Sequence, residues 1–236
     1  MPARRTIGPF IAALLMVASA CGDDGAGTEA TGPAEPGVPV TFTTEDGLNL
    51  KGTLFGAGTD AVVLGHMRPA EMDSWFEFAE LLAAEGYMAL AYNNRGYGDS
   101  EGDKGSFQVA TDAKAAIDFA RSRGAERVFY LGASMNGAAA MVVGADEDLA
   151  GVATLSGVVE FFGADAEAAA PSVEEPKLFI AAEDDGGAPE AARLFFDLSP
   201  GQKRLEIFPG SAHGTALFRD HREELTALLL EFVKSN

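Results

Sequence analysis

The sequence predicts an α/β fold with a mostly parallel central sheet, helices on both faces of that sheet and an antiparallel hairpin at its N-terminal edge. From residue 61 onward, short apolar runs typical of strands alternate with longer segments of helical period. The strand-like runs are apolar throughout, which indicates strands buried on both faces. Polar residues gather where these runs end, and the carboxyl edge of a parallel sheet is where such folds hold their active groups.

The chain is long enough for one domain with a full core and a short appendage. It has 236 residues, of which 47% are hydrophobic, and a chain of this length buries most of its apolar surface in one core. The composition divides the sequence into a signal segment at residues 1–20, a flexible linker at residues 21–37 and a folded domain at residues 38–236.

The first twenty residues have the three regions of an export signal. Two arginines at positions 4 and 5 precede an apolar run, Phe10 to Val17, and small residues then lead to Cys21. The apolar run is too short to span a bilayer. A signal that ends at the only cysteine of the chain resembles a bacterial lipoprotein signal, and the resemblance implies that Cys21 becomes the mature N-terminus and carries lipid, such as palmitate. The alternative is an ordinary signal cleaved near Ala20 that leaves one free thiol.

The segment after Cys21 is rich in glycine, proline and acidic residues and has no apolar period, so we expect a flexible tether. Such a tether holds a domain off a membrane, and the sequence therefore predicts an exported protein, lipid-anchored to a bacterial membrane of the cell envelope. The formal net charge is −19, and it becomes −21 without residues 1–20. This charge argues against nucleic acid as a partner, because a phosphate backbone is bound by lysine and arginine.

The folded domain begins with two strand-like segments, Val38–Thr43 and Leu48–Phe55, around a Glu-Asp-Gly turn. Further strands are predicted at residues 61–65, 88–92, 127–131, 152–155, 177–182 and 204–208. Helices are predicted near residues 74–85, near 107–123, after residue 134, near 189–198 and in a last segment that ends near residue 233. Because these strands alternate with helices, most of them are expected to be parallel.

Between residues 128 and 144, a strand, a sharp turn and a helix follow one another directly. Ser134 stands at the apex of the turn, where we expect a strained backbone and an Oγ clear of the sheet, above helical N–H groups that stabilise an oxyanion. Gly132 precedes it by two residues because a Cβ there would crowd the turn. The second glycine of such a turn is replaced by Asn136, and asparagine tolerates unusual backbone angles better than most residues.

Other polar groups follow the ends of neighbouring strands. They are Gly65-His66-Met67-Arg68, the loop at residues 93–100, Glu183-Asp184-Asp185-Gly186, and Gly210 to Gly214 with His213. A serine, an acid and a histidine therefore leave three strands at one edge of the sheet, in the chain order Ser, Asp, His.

With these motifs the chain resembles an α/β-hydrolase over almost everything from Val38 onward. The likeness rests on the turn at Ser134, the loop N-N-R-G-Y-G-D-S at residues 93–100 and the turn G-S-A-H-G at residues 210–214, which is similar to the histidine loop of dienelactone-hydrolase-like members. It implies a serine hydrolase that works without a cofactor. Three residues depart from the family pattern: Asn136, Met67 in place of a glycine of the oxyanion loop, and Asn94 in place of an acid before the arginine.

The resemblance implies a Ser-His-Asp triad. His213 takes the proton of Ser134 as this serine attacks an acyl carbon, and a carboxylate holds the imidazole in its productive tautomer. The family spacing counted from Ala182 favours Asp185 as that carboxylate, with Asp184 as the alternative.

The backbone N–H of Met135 is the expected first oxyanion donor, and the second donor is expected from Met67 or Arg68. Of the other two histidines, His66 is expected to brace the oxyanion loop and His221 to face solvent. Three scattered histidines and a single cysteine provide no recognisable ligand spacing, so no metal is expected.

Three functions fit these observations. The first is a serine hydrolase that cleaves small carboxylic esters or thioesters through an acyl-enzyme. The second is a small peptidase or amidase of the same fold. The third is a surface lipoprotein that kept the fold for binding and lost catalysis, a hypothesis motivated by Asn136 and Met67.

The segment Ser156 to Pro176 is where this fold inserts a cap domain, and here it has only 21 residues. Val158 to Phe162 suffices for about one helical turn at ~3.6 residues per turn, followed by a loose acidic, alanine-rich stretch. We therefore expect no large cap domain. The site should be an open cleft with Met135 at its floor, flanked by Met67 and by Phe161 and Phe162, and suited to short acyl groups.

Overall fold

The structure is a computed structural model that describes Met1 and residues 37–236. The predicted signal segment, Cys21 and nearly all of the predicted linker lie outside the described residues. In the part of the chain that is described, no helix combines the length and the apolar composition needed to cross a bilayer.

Within residues 37–236, eight strands form one sheet. They are β1 (Val38–Thr43), β2 (Asn49–Phe55), β3 (Asp60–Gly65), β4 (Met88–Tyr92), β5 (Arg127–Ala133), β6 (Gly151–Leu155), β9 (Lys177–Ala182) and β10 (Lys203–Phe208). Their order in the sheet is β1-β2-β4-β3-β5-β6-β9-β10. The strand β2 is antiparallel to both β1 and β4. The other six strands of this sheet, in the order β4-β3-β5-β6-β9-β10, are parallel to one another. This arrangement confirms the predicted mostly parallel sheet with an antiparallel hairpin at one edge.

Helices cover both faces of the sheet. They are α1 (Phe76–Ala84), α2 (Val109–Ser122), α3 (Met135–Asp146), α5 (Ala188–Leu198), α6 (Leu217–Asp220) and α7 (Arg222–Ser235). One apolar core lies under α2, α3 and α5, and the other under α1, α6 and α7. Alternate residues of one strand enter the two cores: Val63 belongs to the first, and Val62 and Leu64 to the second. Burial on both faces explains why the strands read as continuous apolar runs.

The segment between β6 and β9 differs from the prediction. Val158 to Phe162 was expected to make a helical turn, but the chain forms a small hairpin of β7 (Glu160–Phe161) and β8 (Ala164–Asp165). Phe162 and Gly163, at φ of 45° and 90°, form its two-residue turn. Positive φ at both central residues is what the tightest hairpin turns require, and glycine supplies one of these positions without strain.

The stretch expected to be loose is ordered into the short helix α4 (Ala166–Ala169) and a 3₁₀ turn at Ala170–Ser172. The Asp165 carboxylate accepts the Ala168 N–H at 2.9 Å and thereby caps α4. The buried residues Ala164, Ala166 and Ala170 of this segment belong to the core under α2, α3 and α5, so these short elements complete that core.

Candidate active site

Ser134 lies between the end of β5 and the start of α3 with a backbone of φ 54° and ψ −110°. Such angles are costly for a residue with a Cβ and persist only where the surroundings enforce them. A Cβ on Gly132 would lie 1.9 Å from the Asn136 carbonyl oxygen, and one on Gly137 would lie 2.6 Å from Gly157 Cα. The small residues of this turn are therefore required by close backbone contacts, as predicted for Gly132.

His213 follows β10 in the turn before α6, and Asp185 follows β9. Both carboxylate oxygens of Asp185 lie 2.9 Å from His213 Nδ1. The side chain of Asp185 is 10% exposed and that of His213 is 37% exposed, so the pair stands at the protein surface with its carboxylate covered. Asp184 is exposed, and its backbone N–H donates to the Gly210 carbonyl at 2.8 Å. The structure thus brings Asp185, and not its neighbour, to the imidazole.

The histidine turn packs directly against the residue before Ser134. A Cβ added to Gly214, whose φ is 55°, would lie 2.7 Å from Met67 Sδ and 3.4 Å from Ala133 Cβ. Glycine is therefore needed at position 214 for both its backbone angle and its close neighbours. This contact brings the ends of β3, β5 and β10 together at one edge of the sheet.

Ser134 Oγ and His213 Nε2 make no hydrogen bond to any group within residues 37–236. Catalytic hydrogen bonds of this kind are often long in a free enzyme and close when substrate binds. Because Nδ1 faces the Asp185 carboxylate, Nδ1 carries the proton, and Nε2 presents its lone pair to the cleft.

The predicted oxyanion donors lie at this same edge. Met135 is the first residue of α3, so its N–H has no partner inside the helix. In the described part of the chain, the N–H groups of Met67 and Arg68 also donate to no protein acceptor. All three N–H groups are available to a bound oxyanion, and both alternatives for the second donor stay open.

The other two histidines have different surroundings. His66 is fully buried and its Nε2 accepts the Asn94 N–H at 3.1 Å, so its Nδ1 is protonated and donates to the Met67 carbonyl at 2.9 Å. Burial lowers the pKa of His66, which keeps the ring neutral and supports its bracing of the oxyanion loop. His221 was expected to face solvent, and this is wrong. Its side chain is 14% exposed, stacks on Phe208 and donates through Nε2 to the Pro209 carbonyl.

Within residues 37–236, no group of three or more histidine, cysteine, aspartate or glutamate side chains is placed to hold a metal ion. Three grooves of the described residues, of about 220, 380 and 610 Å³, are lined by none of the candidate catalytic residues. Ser134 itself is partly exposed at the carboxyl edge of the sheet.

A family model described as serine aminopeptidase, S33, matches residues 58–162, which is less than half of the chain. The uncharacterized protein YfhR of Salmonella typhi is 32% identical over 115 residues, which cover 44% of this chain and 39% of YfhR. YfhR of Salmonella typhimurium matches with the same identity and coverage. The chain thus spans about two fifths of the length of the curated relatives it matches.

Solved structures resemble the domain over most of its length. The Pyrococcus furiosus esterase Pf2001 has a TM-score of 0.71 at 19% identity, with 85% of this chain and 91% of the esterase covered. The esterase EaEST from Exiguobacterium antarcticum has a TM-score of 0.71 at 18% identity, with 84% of this chain and all of the esterase covered, 100%. The chain has the α/β-hydrolase fold. At these identities, the shared feature is the fold.

In this fold, the departure at Asn136 has a different cause from the one expected. Asn136 lies inside α3 with no positive φ, so unusual backbone angles do not explain it. Its side chain is fully buried, and Nδ2 donates to the His66 carbonyl and to Asn94 Oδ1, both at 2.7 Å. Two of the three departures from the family pattern, Asn136 and Asn94, are thus hydrogen-bonded to each other beneath the oxyanion loop.

The amide oxygen of Asn136 is held by two buried tyrosines that the sequence did not single out. The hydroxyl of Tyr130 lies 2.9 Å from Asn136 Oδ1, that of Tyr92 lies 3.1 Å from it, and the two hydroxyls are 2.7 Å apart. Burial raises the pKa of both tyrosines, so each keeps its single proton. The two shortest contacts use these protons, with Tyr92 donating to Tyr130 and Tyr130 donating to Asn136. The signal in the sequence was a tyrosine in each of two buried strands, β4 and β5, which lie on either side of β3 in the sheet.

The loop that contains Asn94 is anchored by the next residue. The Arg95 guanidinium binds Asp112 at 2.7 Å and Asp46 at 2.7 Å, and hydrogen bonding to Arg95 lowers the pKa of Asp46 to about 2. Asn94 Nδ2 also faces Asp112, at 3.4 Å. These contacts fasten the loop to α2, which carries Asp112, and to the turn between β1 and β2, which carries Asp46.

Three aromatic rings contact one another beside Arg68 of the oxyanion loop. Phe107, Phe161 and Phe162 are in mutual contact, with ring centroids 4.7 to 5.0 Å apart. Phe162 is 62% exposed. The Arg68 guanidinium lies 5.1 Å from the centre of the Phe107 ring, so the oxyanion loop and the hairpin meet through these side chains.

Proposed function

We propose that the protein is a serine hydrolase that cleaves carboxylic esters or thioesters through an acyl-enzyme. The observation that carries the proposal is the Asp185–His213 pair, whose carboxylate oxygens lie 2.9 Å from Nδ1. This pair shares one sheet edge with a strained serine at a helix N-terminus. A carboxylate, an imidazole and an activated hydroxyl in this order are the parts of a nucleophilic triad.

The reaction would proceed in two halves. Ser134 Oγ attacks the acyl carbon while its proton passes to His213 Nε2, and the negative charge on the carbonyl oxygen is bound by the Met135 N–H together with that of Met67 or Arg68. The tetrahedral intermediate then expels the alcohol or thiol, which takes the proton from Nε2. Water attacks the acyl-enzyme by the same route and releases the acid, and Ser134 regains its proton.

The substrate would be small. The segment between β6 and β9 forms only a short hairpin and a one-turn helix, so it offers little apolar wall for a long acyl chain. Each CH₂ buried against such a wall would be worth ~0.8 kcal/mol. Without it, binding should stop improving after a few carbons.

Amide hydrolysis is a second candidate function, favoured by one observation. The family model that matches residues 58–162 is described as a serine aminopeptidase. The two candidates differ in the leaving group, since an amine must be protonated as it departs. Rates on p-nitrophenyl acetate and on aminoacyl p-nitroanilides would separate them: we expect turnover of the ester and little turnover of the anilides.

The test of the proposed function is covalent labelling with a fluorophosphonate probe. We expect wild-type protein to be labelled at Ser134, and the variants Ser134→Ala and His213→Ala to lose labelling and all but a small residual rate of ester hydrolysis. Folded wild-type protein that takes no label would support the hypothesis of a lipoprotein that binds without catalysis.

We further propose that Cys21 is lipidated and tethers the domain to the cell envelope. The support is the sequence alone: a signal-like segment that ends at the single cysteine, followed by an acidic, glycine- and proline-rich linker. The variant Cys21→Ser should move the protein from the membrane fraction to the soluble fraction. A variant that stays in the membrane fraction would contradict the anchor.

A further inference from the structure

Ser156 is a second strained serine at the catalytic edge of the sheet. It directly follows β6, is fully buried and has a φ of 53°. Within residues 37–236, only Ser134, Ser156 and Phe162 have positive φ among non-glycine residues. Phe162 serves a hairpin turn and Ser134 is the candidate nucleophile. A positive φ is unfavourable for a serine, so the surroundings of Ser156 must compensate for it.

The hydroxyl of Ser156 reaches the histidine turn, 58 residues away in the sequence. Ser156 Oγ accepts the N–H of Gly214, the residue after His213, at 2.9 Å. Gly214 begins a 3₁₀ turn, and the first N–H groups of a helical segment have no partner within it. Since Gly214 is buried, this N–H would be left unpaired without Ser156.

The same strand end also holds the other two parts of the site. The carbonyl of Leu155 accepts the Ser134 N–H at 2.9 Å, and the Ser156 N–H donates to the Ile180 carbonyl in β9 at 2.7 Å. The strand β9 leads directly to Asp185. The residues Leu155 and Ser156 therefore connect the nucleophile turn, the histidine turn and the strand that carries the acid.

We propose that Ser156 is a positioning residue for the hydrolytic reaction proposed above. Its hydroxyl fixes the peptide between His213 and Gly214, and this peptide sets where the imidazole stands relative to Ser134 and Asp185. The inference rests on the proposed function. It assigns the effect to one hydrogen bond rather than to the volume of the side chain, because a serine hydroxyl can be removed with almost no change in volume.

The experiment compares three variants by the rate of fluorophosphonate labelling and by kcat and KM on p-nitrophenyl acetate. Ser156→Ala removes the hydroxyl. Ser156→Gly removes it as well and also relieves the backbone strain, so this variant tests the hydroxyl even if Ser156→Ala fails to fold. The matched control is Thr154→Val, because Thr154 lies two residues earlier on β6 and its buried Oγ1 has no hydrogen-bond partner within residues 37–236.

We expect both Ser156 variants to lose about 10- to 100-fold in kcat and in labelling rate, as small misplacements of a catalytic group do. KM should stay within about twofold, and Thr154→Val should behave as wild type. Combined with His213→Ala, Ser156→Gly should cause no further loss, because Ser156 acts through His213.

The proposal would be overturned if Ser156→Gly kept the wild-type kcat. It would also be overturned if Ser156→Gly lowered the rate by the same factor in the wild-type protein and in the His213→Ala variant. In the second case the effect would be general to the fold. Wild-type protein that takes no label at all would instead overturn the proposed function, and the role of Ser156 with it.

Discussion

Replacing Asn136 by the glycine that is typical of this fold should destabilise the protein. The Asn136 side chain is fully buried and makes three close hydrogen bonds, to the His66 carbonyl, to Asn94 Oδ1 and from Tyr130. Glycine would leave all three partners in a protein interior with nothing to pair with. Asn136, which departs from the family pattern, would then be required for the stability of this protein.

The magnitude follows from those three bonds. Each buried partner left unpaired costs about 1–3 kcal/mol. Asn136→Ala leaves three such partners and should therefore lower the free energy of unfolding by about 3–9 kcal/mol. Glycine inside a helix adds about 1 kcal/mol to that loss. For a domain of this size, about 2–4 °C in Tm corresponds to each kcal/mol, so the alanine variant should melt about 6–36 °C lower.

Thermal unfolding followed by circular dichroism at pH 7 would measure this ranking: wild type highest, Asn136→Ala lower and Asn136→Gly lowest. Ala145→Gly in the same helix isolates the intrinsic effect of a helical glycine, since Ala145 takes no part in the buried network. An Asn136→Gly variant with an unchanged or raised Tm would refute the reasoning, because it would show that glycine suits this position and that the buried amide contributes nothing.

Three further predictions concern the acid, the pH dependence and the substrate. Asp185→Asn should lower kcat by on the order of 10⁴, by analogy with the serine-protease triad, and Asp184→Asn should have little effect; the reverse ranking in steady-state assays would exchange their roles. Since burial lowers the pKa of His66, the unfolded chain takes up a proton near pH 6.5 before the folded chain does. Stability should then fall as the pH drops below about 6.5, and calorimetry should show a smaller fall in Tm between pH 7.5 and pH 5.5 for His66→Gln; equal falls would contradict a neutral buried ring. On p-nitrophenyl esters, kcat/KM should peak between acetate and butyrate. A higher value on decanoate would show that residues 156–176 form an apolar surface that binds a long acyl chain.

The elements of this fold could be predicted from the sequence because their signals are local. A run of apolar residues buried on both faces marks a strand whatever its neighbours are, and β1, β4 and β9 have the predicted bounds. The turn at Ser134 is equally local, since the glycine before the serine is required by atoms only a few residues away.

The rest depended on contacts between distant residues. The Asn136 amide donates a hydrogen bond to the His66 carbonyl, 70 residues away in the sequence. No sequence pattern around either residue predicts that contact. Asp184 and Asp185 are adjacent, so only the path of the turn after β9 decides which of them reaches His213. The hairpin at residues 160–165 was missed because Phe162 takes a positive φ, which is uncommon for a bulky side chain, and its short apolar run suits a helical turn as well as a strand.

The departures at Asn136 and Asn94 are best understood as one change. Asn136 Nδ2 needs an acceptor at residue 94, and Asn94 offers Oδ1 to it while its own Nδ2 faces the Asp112 carboxylate at 3.4 Å. An aspartate at position 94, as the family often has, would still accept from Asn136. It would also place a second carboxylate beside buried Asp112, where like charges repel strongly. An amide at position 94 is therefore the side chain that satisfies both neighbours. Glycine at position 136 would remove the donor to Asn94 Oδ1, and aspartate at position 94 would place two carboxylates side by side.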